Sequence, residues 1–408
     1  MKQNKNTDAV VPILTIALGG IFSIEIILAL QMVLLLFKKK LKLSKWFMLI
    51  MMIITIHSVI NVVLGNSQFN LMIKQILGIS ISFIFFSNYV NENNYMDCIR
   101  VYMKFSVFVS VFSIIQQIAK LLNITFIYNL QWLVKEQLSP TALYRSVTIF
   151  REPAECALFL VVAVYIAVYC MAGKYRNTLK SELKLSLNSS LIIIVGFLFT
   201  FSSIGYVGLL IIGVFIWFEY KHTFKQLLIS IMIIIAFIAL YELVPEFRMR
   251  IDDTLNLFFV SGELAENNLS SQTLYINFRI AIMNLVNTFG LGSGIGSHQI
   301  AYENYKSELN LTGVYLFLNS EDANSLALRV MSELGIFAVI GICIWIIKNK
   351  SAEVGKINYI INFSCIVYFA LQLLRYGHYF YYGIWFWVWI YLLTRHENKT
   401  MAEGKEKL

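Results

Sequence analysis

Four polar residues recur at helical spacing near the end of the chain: Asp322, Ser325, Arg329 and Glu333. On a helix they share one face, because residues three and four apart are neighbours. A carboxylate on such a face can accept a proton, and an arginine can hold a phosphate or carboxylate through its planar fork. The opposing reading is an Arg329–Glu333 ion pair that only locks helices together. A second group is Arg145, Arg151, Glu152, Pro153 and Glu155. Pro153 suits a first helical turn, and both glutamates suit its positive end. These acids can be caps, or they can serve proton transfer beside phosphate-gripping arginines. Arg279 stands eleven positions before the run Gly290-Leu-Gly292-Ser-Gly294-Ile-Gly296-Ser297. Backbone N–H groups at Gly292, Gly294 and Gly296 could cradle an anion, or the run could be a turn. It is neither a Walker loop nor a dinucleotide fingerprint. Arg375 and His378 sit together near the last apolar segment, where His378 can be a base or a residue of the interfacial belt.

The elements that must position these residues are apolar. Of 408 residues, 58% are hydrophobic and 14% charged, and the mean hydropathy is +0.68. Repeated apolar runs predict an all-α, polytopic membrane bundle of about 11–12 spans. Eleven are placed near 10–37, 46–64, 69–90, 97–122, 153–172, 185–201, 203–219, 226–244, 322–347, 357–374 and 378–394. The chain reads as one membrane domain over 1–408, with 245–321 as a large extracytoplasmic loop. Within that loop, Thr273 to Phe289 reads as a helix whose apolar face is Leu274, Phe278, Ile282, Leu285 and Phe289. Thr200 to Gly208 reads as a tight hairpin of small residues between spans. No cleavable signal is expected at the N-terminus.

Charge sets the orientation. Lysines cluster at 38–45, 174–184 and 348–356, which makes that side cytoplasmic. Arg145, Arg151, Arg248, Arg250 and Arg279 fall on the opposite side. Guanidinium groups placed against the positive-inside bias point to an anionic, lipid-linked substrate at the outer face. An odd span count conflicts with Lys2 and Lys5, and a missed re-entrant segment would remove the conflict. The net charge of +9 is divided among short loops, so no nucleic-acid partner is expected. The five cysteines form no CxxC pair, and neither a disulfide framework nor a metal site is expected.

Over Thr200–Gly208, Arg279–Ser297 and Asn324–Gly335 the chain resembles the O-antigen polymerase and ligase superfamily, and within it the Wzy-type repeat-unit polymerases. Phe150-Arg-Glu-Pro-Ala154 is similar to a Phe-x-Glu-Pro stretch in many of them. Ser202-Ser203-Ile204-Gly205 departs from the Ser-Arg-Gly of many members, and Asn324 stands where ligases carry histidine. The resemblance implies a metal-independent, inverting glycosyltransferase without a cofactor. It would join polyprenyl-pyrophosphate-linked oligosaccharides at the outer face of a bacterial plasma membrane, making capsule, exopolysaccharide or O-antigen. Membrane lipids, a flippase and a chain-length regulator would be its partners. Arg279 and Arg329 lead the expected pyrophosphate contacts, followed by Arg151, Arg145 and Arg375. Asp322 leads the expected bases, followed by Glu152, Glu333 and His378. Rival readings are a flippase or transporter for the same lipid-linked sugars, and a ligase.

Overall fold

The computed structural model describes residues 5–38, 40–134, 137, 144–173, 175–219, 224–243, 245–260, 269–352, 356–381 and 383–395. The first nine helices are α1 (Lys5–Leu18), α2 (Ile24–Leu36), α3 (Lys45–Val63), α4 (Phe69–Tyr89), α5 (Tyr95–Leu121), α6 (Thr125–Tyr128), α7 (Pro153–Met171), α8 (Arg176–Leu183) and α9 (Leu187–Leu198). They are followed by α10 (Ser203–Glu219), α11 (Phe224–Leu243), α12 (Pro245–Leu255), α13 (Leu269–Asn287), α14 (His298–Tyr305), α15 (Leu326–Lys348), α16 (Ile357–Leu374) and α17 (Ile384–Thr394). No strand occurs among the described residues. Among the described residues, six helices (α3, α4, α5, α7, α15 and α16) are long and apolar enough to cross a bilayer. The pair α8–α9, bent by 90°, makes a seventh if it is one span. α1, α2, α10 and α17 are apolar but shorter. The chain is therefore a helical membrane bundle.

Helix α7 is its axis. It carries no charge beyond Glu155 and is buried along almost its whole length, as expected of a helix that is apolar all round. It packs on α9, α10 and α16. Small residues allow close approach elsewhere: a Cβ on Gly196 of α9 would lie 2.5 Å from Ser110 of α5, and Ser113 Oγ donates to the Gly196 carbonyl at 2.8 Å. Helix α3 is the opposite case. Trp46, Ile50, Ile53 and Ile60 are exposed along it, a face suited to lipid.

The expected first span, 10–37, is instead a hairpin. α1 and α2 break at Gly19–Ser23 and fold back, so that Lys38 Nζ lies 3.2 Å from Asp8 Oδ1 at the base. Gly20 permits the break, since a Cβ there would sit 2.8 Å from the Ile149 carbonyl oxygen. The tip is held from above: Tyr381 OH donates to Gly19 O at 3.0 Å and Arg151 Nη2 to Phe22 O at 2.8 Å. Arms of 14 and 13 residues reach about 20 Å, short of the roughly 30 Å hydrocarbon layer. The fold-back returns the start of α1 to the side of Lys38. Two other expected spans are also shorter: 185–201 yields α9 over Leu187–Leu198, and 378–394 yields α17 over Ile384–Thr394. The loop before α17 meets the hairpin tip through Tyr381, and the loop after α9 pairs with Arg145 and Ser146.

The segment 245–321 contains α12, α13 and α14, and part of it threads into the bundle. α13 confirms the expected helix but rotates its face, leaving Leu274, Phe278, Ile282 and Leu285 half-buried. Ile276, Asn277, Ile280, Ala281 and Asn284 are buried, whereas Phe289 is 92% exposed. The asparagines turn inward because the interior supplies their partners. Asn284 Nδ2 donates to Ser293 Oγ and to the Ser332 carbonyl. The glycine run then crosses α15 where that helix breaks at Gly335 (φ 80°, ψ 178°). Ser293 N donates to Ser332 O, Gly294 N to Glu333 O, and Ile336 N to Gly290 O. These bonds replace the ones the break removes, so the crossing leaves no orphaned backbone group there. Contact is too close for side chains: a Cβ on Gly335 would lie 2.3 Å from Gly290 O, and one on Gly292 2.6 Å from the Glu333 carbonyl carbon.

Gly335→Ala should therefore destabilise the protein by more than about 3 kcal/mol, combining left-handed strain with a backbone clash. Gly341→Ala lies in the same helix, and nothing stands within 4 Å of the place its methyl group would take. That change should be neutral or slightly stabilising. Thermal unfolding in detergent compares the two.

Candidate functional site

The break in α15 places Glu333 at the centre of a polar cluster. Its carboxylate is fully buried and accepts four hydrogen bonds. Arg329 Nε donates at 2.9 Å, Tyr379 OH at 2.8 Å, Gly296 N at 2.8 Å and His298 N at 3.3 Å. The last two amides flank the start of α14, where the helix dipole also favours an anion. The glycine run does cradle an anion, and that anion is the chain's own Glu333. The other amides of the run are engaged as well: Gly292 N binds Thr288 Oγ1, Gly294 N binds Glu333 O and Ile295 N binds Ser58 Oγ. The expected use of Gly292, Gly294 and Gly296 to bind a substrate phosphate is therefore replaced by an internal one.

Arg329 is 2% exposed. It donates through Nε to Glu333 and through Nη1 to Gly377 O at 3.0 Å, and its guanidinium lies 4.7 Å from the Tyr379 ring centroid. It positions the 375–383 loop. Neither Arg329 nor Glu333 is presented to a substrate, so the helix-locking reading describes this pair better than the catalytic one. Arg279 is not part of the cluster. It is exposed on the far side of α13 from Asn277 and Asn284, and donates to Tyr275 OH at 3.1 Å.

Gly377 brings the tethered loop against the start of α15. A Cβ there would lie 1.4 Å from the Asp322 carbonyl oxygen. The close approach sets His378 Nε2 3.4 Å from Asp322 Oδ2. Asp322 Oδ1 accepts from Asn319 Nδ2 at 3.0 Å and from Asn324 N at 3.1 Å. Burial would raise the Asp322 pKa, but His378 and these two donors outweigh it and hold the carboxyl below its ordinary value. His378 is pushed down by burial and by Arg329, against the opposing pull of Asp322. The pair is thus a carboxylate beside a neutral imidazole near neutral pH. It opens on a cleft of about 400 Å³ lined by Gln299, Phe317, Asn319, Ser320, Glu321, Asp322 and His378.

The arginines lie to the other side of His378. Tyr381 stands between them: its ring centroid is 5.3 Å from that of His378 and 5.5 Å from the Arg151 guanidinium. Glu152 accepts from Tyr376 OH at 2.8 Å, and Arg145 Nε donates to Phe201 O at 3.1 Å. Pro153 opens α7 and Glu155 caps it by accepting from Arg151 N. The half-buried Arg375 has no side-chain hydrogen bond or ion pair among the described residues. Glu152 and Arg375 thus both lie near Tyr376, and Arg151 lies by Tyr381.

Two further members, Tyr379 and His298, lie outside the expected site residues. Tyr379 passes for an interfacial tyrosine until its hydroxyl is found on Glu333. His298 is fully buried, with Nε2 2.9 Å from Asn277 Oδ1. Asn277 Nδ2 is fixed by the carbonyls of Thr273 and Leu318, so its Oδ1 must face the ring, which assigns the proton to Nε2. Burial, aided by Arg329 and opposed by Asp322, pushes the His298 pKa down to about 3. It stays neutral and serves as a packed link between α13 and α14.

Comparison with known protein families, curated proteins and solved structures returns no match.

Replacing Glu333 with Gln removes the charge and turns a donor toward other donors. The loss should be about 3–5 kcal/mol, the usual consequence of breaking a buried ion pair on one side. Tyr379→Phe, which deletes one hydroxyl donor, should cost about 1–3 kcal/mol. Melting temperatures in detergent give the ranking, and equal stability of all three proteins would remove the carboxylate from its central place.

Proposed function

We propose that the chain is a metal-independent, inverting glycosyltransferase that polymerises polyprenyl-pyrophosphate-linked oligosaccharide repeat units. The supporting observation is the Asp322–His378 pair at the cleft, with Arg151 across Tyr381 from it and Arg375 in the same loop as His378. Such a division suits a reaction with an uncharged nucleophile and an anionic leaving group. A hydroxyl of the incoming unit gives its proton to His378 as its oxygen attacks the anomeric carbon of the growing chain. Asp322 steadies the imidazolium. The bond from the anomeric carbon to pyrophosphate breaks, and the departing charge meets Arg375 and Arg151. Each such contact contributes roughly 2–4 kcal/mol when it is preorganised in a water-poor site. The basic loops at Lys38–Lys45, Lys174–Lys184 and Lys348–Lys356 support a cytoplasmic assignment for the far ends of the helices. The site then faces outward, in a plasma-membrane bundle of 11–12 crossings and re-entrant segments with 245–321 on its outer side. A flippase would deliver the units, and a chain-length regulator would act on the product.

Proteoliposomes given purified lipid-linked repeat units should produce a ladder of longer glycans. Movement of the units across the bilayer without chain growth would contradict the proposal. Arg375→Lys keeps the charge but loses the fork, and should lower kcat about 10²-fold. Because the neutral imidazole is the active form and its pKa lies below the ordinary 6.5, the rate should be flat above that pH and fall below it. His378→Asn should lower the rate roughly 10²–10⁴-fold and remove that acid limb.

A further inference from the structure

We propose that the cleft is a glycan subsite selective by charge, taking a neutral or amine-bearing sugar and rejecting one that carries a carboxylate. Its volume of about 400 Å³ lies in the lower part of the usual range for ligand pockets, roughly 300–1,000 Å³, and suits a short glycan. Phe317 lines it and is 66% exposed. An exposed ring offers a flat apolar surface to the C–H face of a pyranose. Gln299 and Asn319 supply amide donors and acceptors for hydroxyl groups.

The ionised lining is acidic. Glu321 and Asp322 both face the cleft, and among the described residues no lysine or arginine lines it. The neighbouring cations are committed elsewhere. Lys306 lies over the Phe317 ring at 5.3 Å and is paired with Glu303. Arg329, behind Asp322, is paired with Glu333. His378 forms the boundary, and Arg151 lies beyond Tyr381. A uronate would bring a third carboxylate into a partly enclosed space with two already present, and like charges at such range repel strongly. An amino sugar would be attracted by the same field. The cleft is equally unsuited to pyrophosphate, which leaves the arginine side for the leaving group. Naming the occupant as the acceptor end rests on the glycosyl-transfer proposal, but the charge selection does not.

The test uses the full-length protein in nanodiscs and three lipid-free methyl disaccharides: one neutral, one with a free amine and one with a uronate. Binding is followed by saturation-transfer NMR at low and high salt. The neutral and amine forms should bind, with the uronate at least about tenfold weaker at low salt. Glu321→Gln and added salt should each narrow that gap, and Phe317→Ala should weaken all three. Equal or tighter uronate binding overturns the proposal. So does binding of none of the sugars, or binding that Phe317→Ala leaves unchanged. No turnover is measured, so a failure of chain growth would count against the enzymatic reading while leaving this result intact.

Discussion

A carboxylate out of contact with water needs hydrogen-bond donors around it, and Glu333 has gathered four. Each donor comes from a different stretch of chain or fixes one. The Gly296 and His298 amides bring the glycine run and the start of α14. Tyr379 brings the loop between α16 and α17. Arg329 brings the same loop again, through Gly377 O. Such an arrangement is unlike an ordinary surface ion pair, which contributes little. Removing any donor leaves the rest of a buried charge uncompensated, so the parts are held as a unit.

The position of Glu333 matters as much as its partners. It lies two residues before Gly335, where α15 loses its regular hydrogen bonds. The glycine run can enter there because the broken helix offers Ser332 and Glu333 carbonyls that need donors. Backbone pairing and charge burial thus occur at one place. The consequence at the surface is the approach of Gly377 to Asp322, which sets His378 beside a carboxylate. Short elements meet near the same level: the α1–α2 hairpin, α9 and α17 all end against loops that bear Arg145, Arg151 and His378. Glu321 and Asp322 then lie toward the cleft, and Arg151 lies across Tyr381 toward the hairpin tip, with Glu155 on its backbone amide.

Much of the bundle is legible in the sequence because apolar length is a strong signal. The spans at α3, α4, α5, α7, α15 and α16 fall close to the apolar runs. The hairpin of α1 and α2 is concealed because composition stays apolar through Gly19-Gly20, and hydropathy does not register a reversal. In α13 the period is right and the buried face rotated, since Asn277 and Asn284 turn inward to partners distant in sequence. The site divides in the same way. Local spacing exposes the Arg329–Glu333 pair and the caps of α7. It cannot show that Glu333 consumes the amides of Gly296 and His298, which lie some 35–37 residues before it in the chain. Nor does spacing separate Arg279, on an exposed helix face, from Arg151, which lies across Tyr381 from His378.

The claim that one buried carboxylate holds both the glycine run and the His378 loop is tested most directly by hydrogen–deuterium exchange on Glu333→Gln beside the unaltered protein. The account predicts that the peptides covering 290–298 and 375–383 lose protection together, and by more than the rest of α15. Unchanged protection in both, or loss in one segment with the other intact, would contradict it.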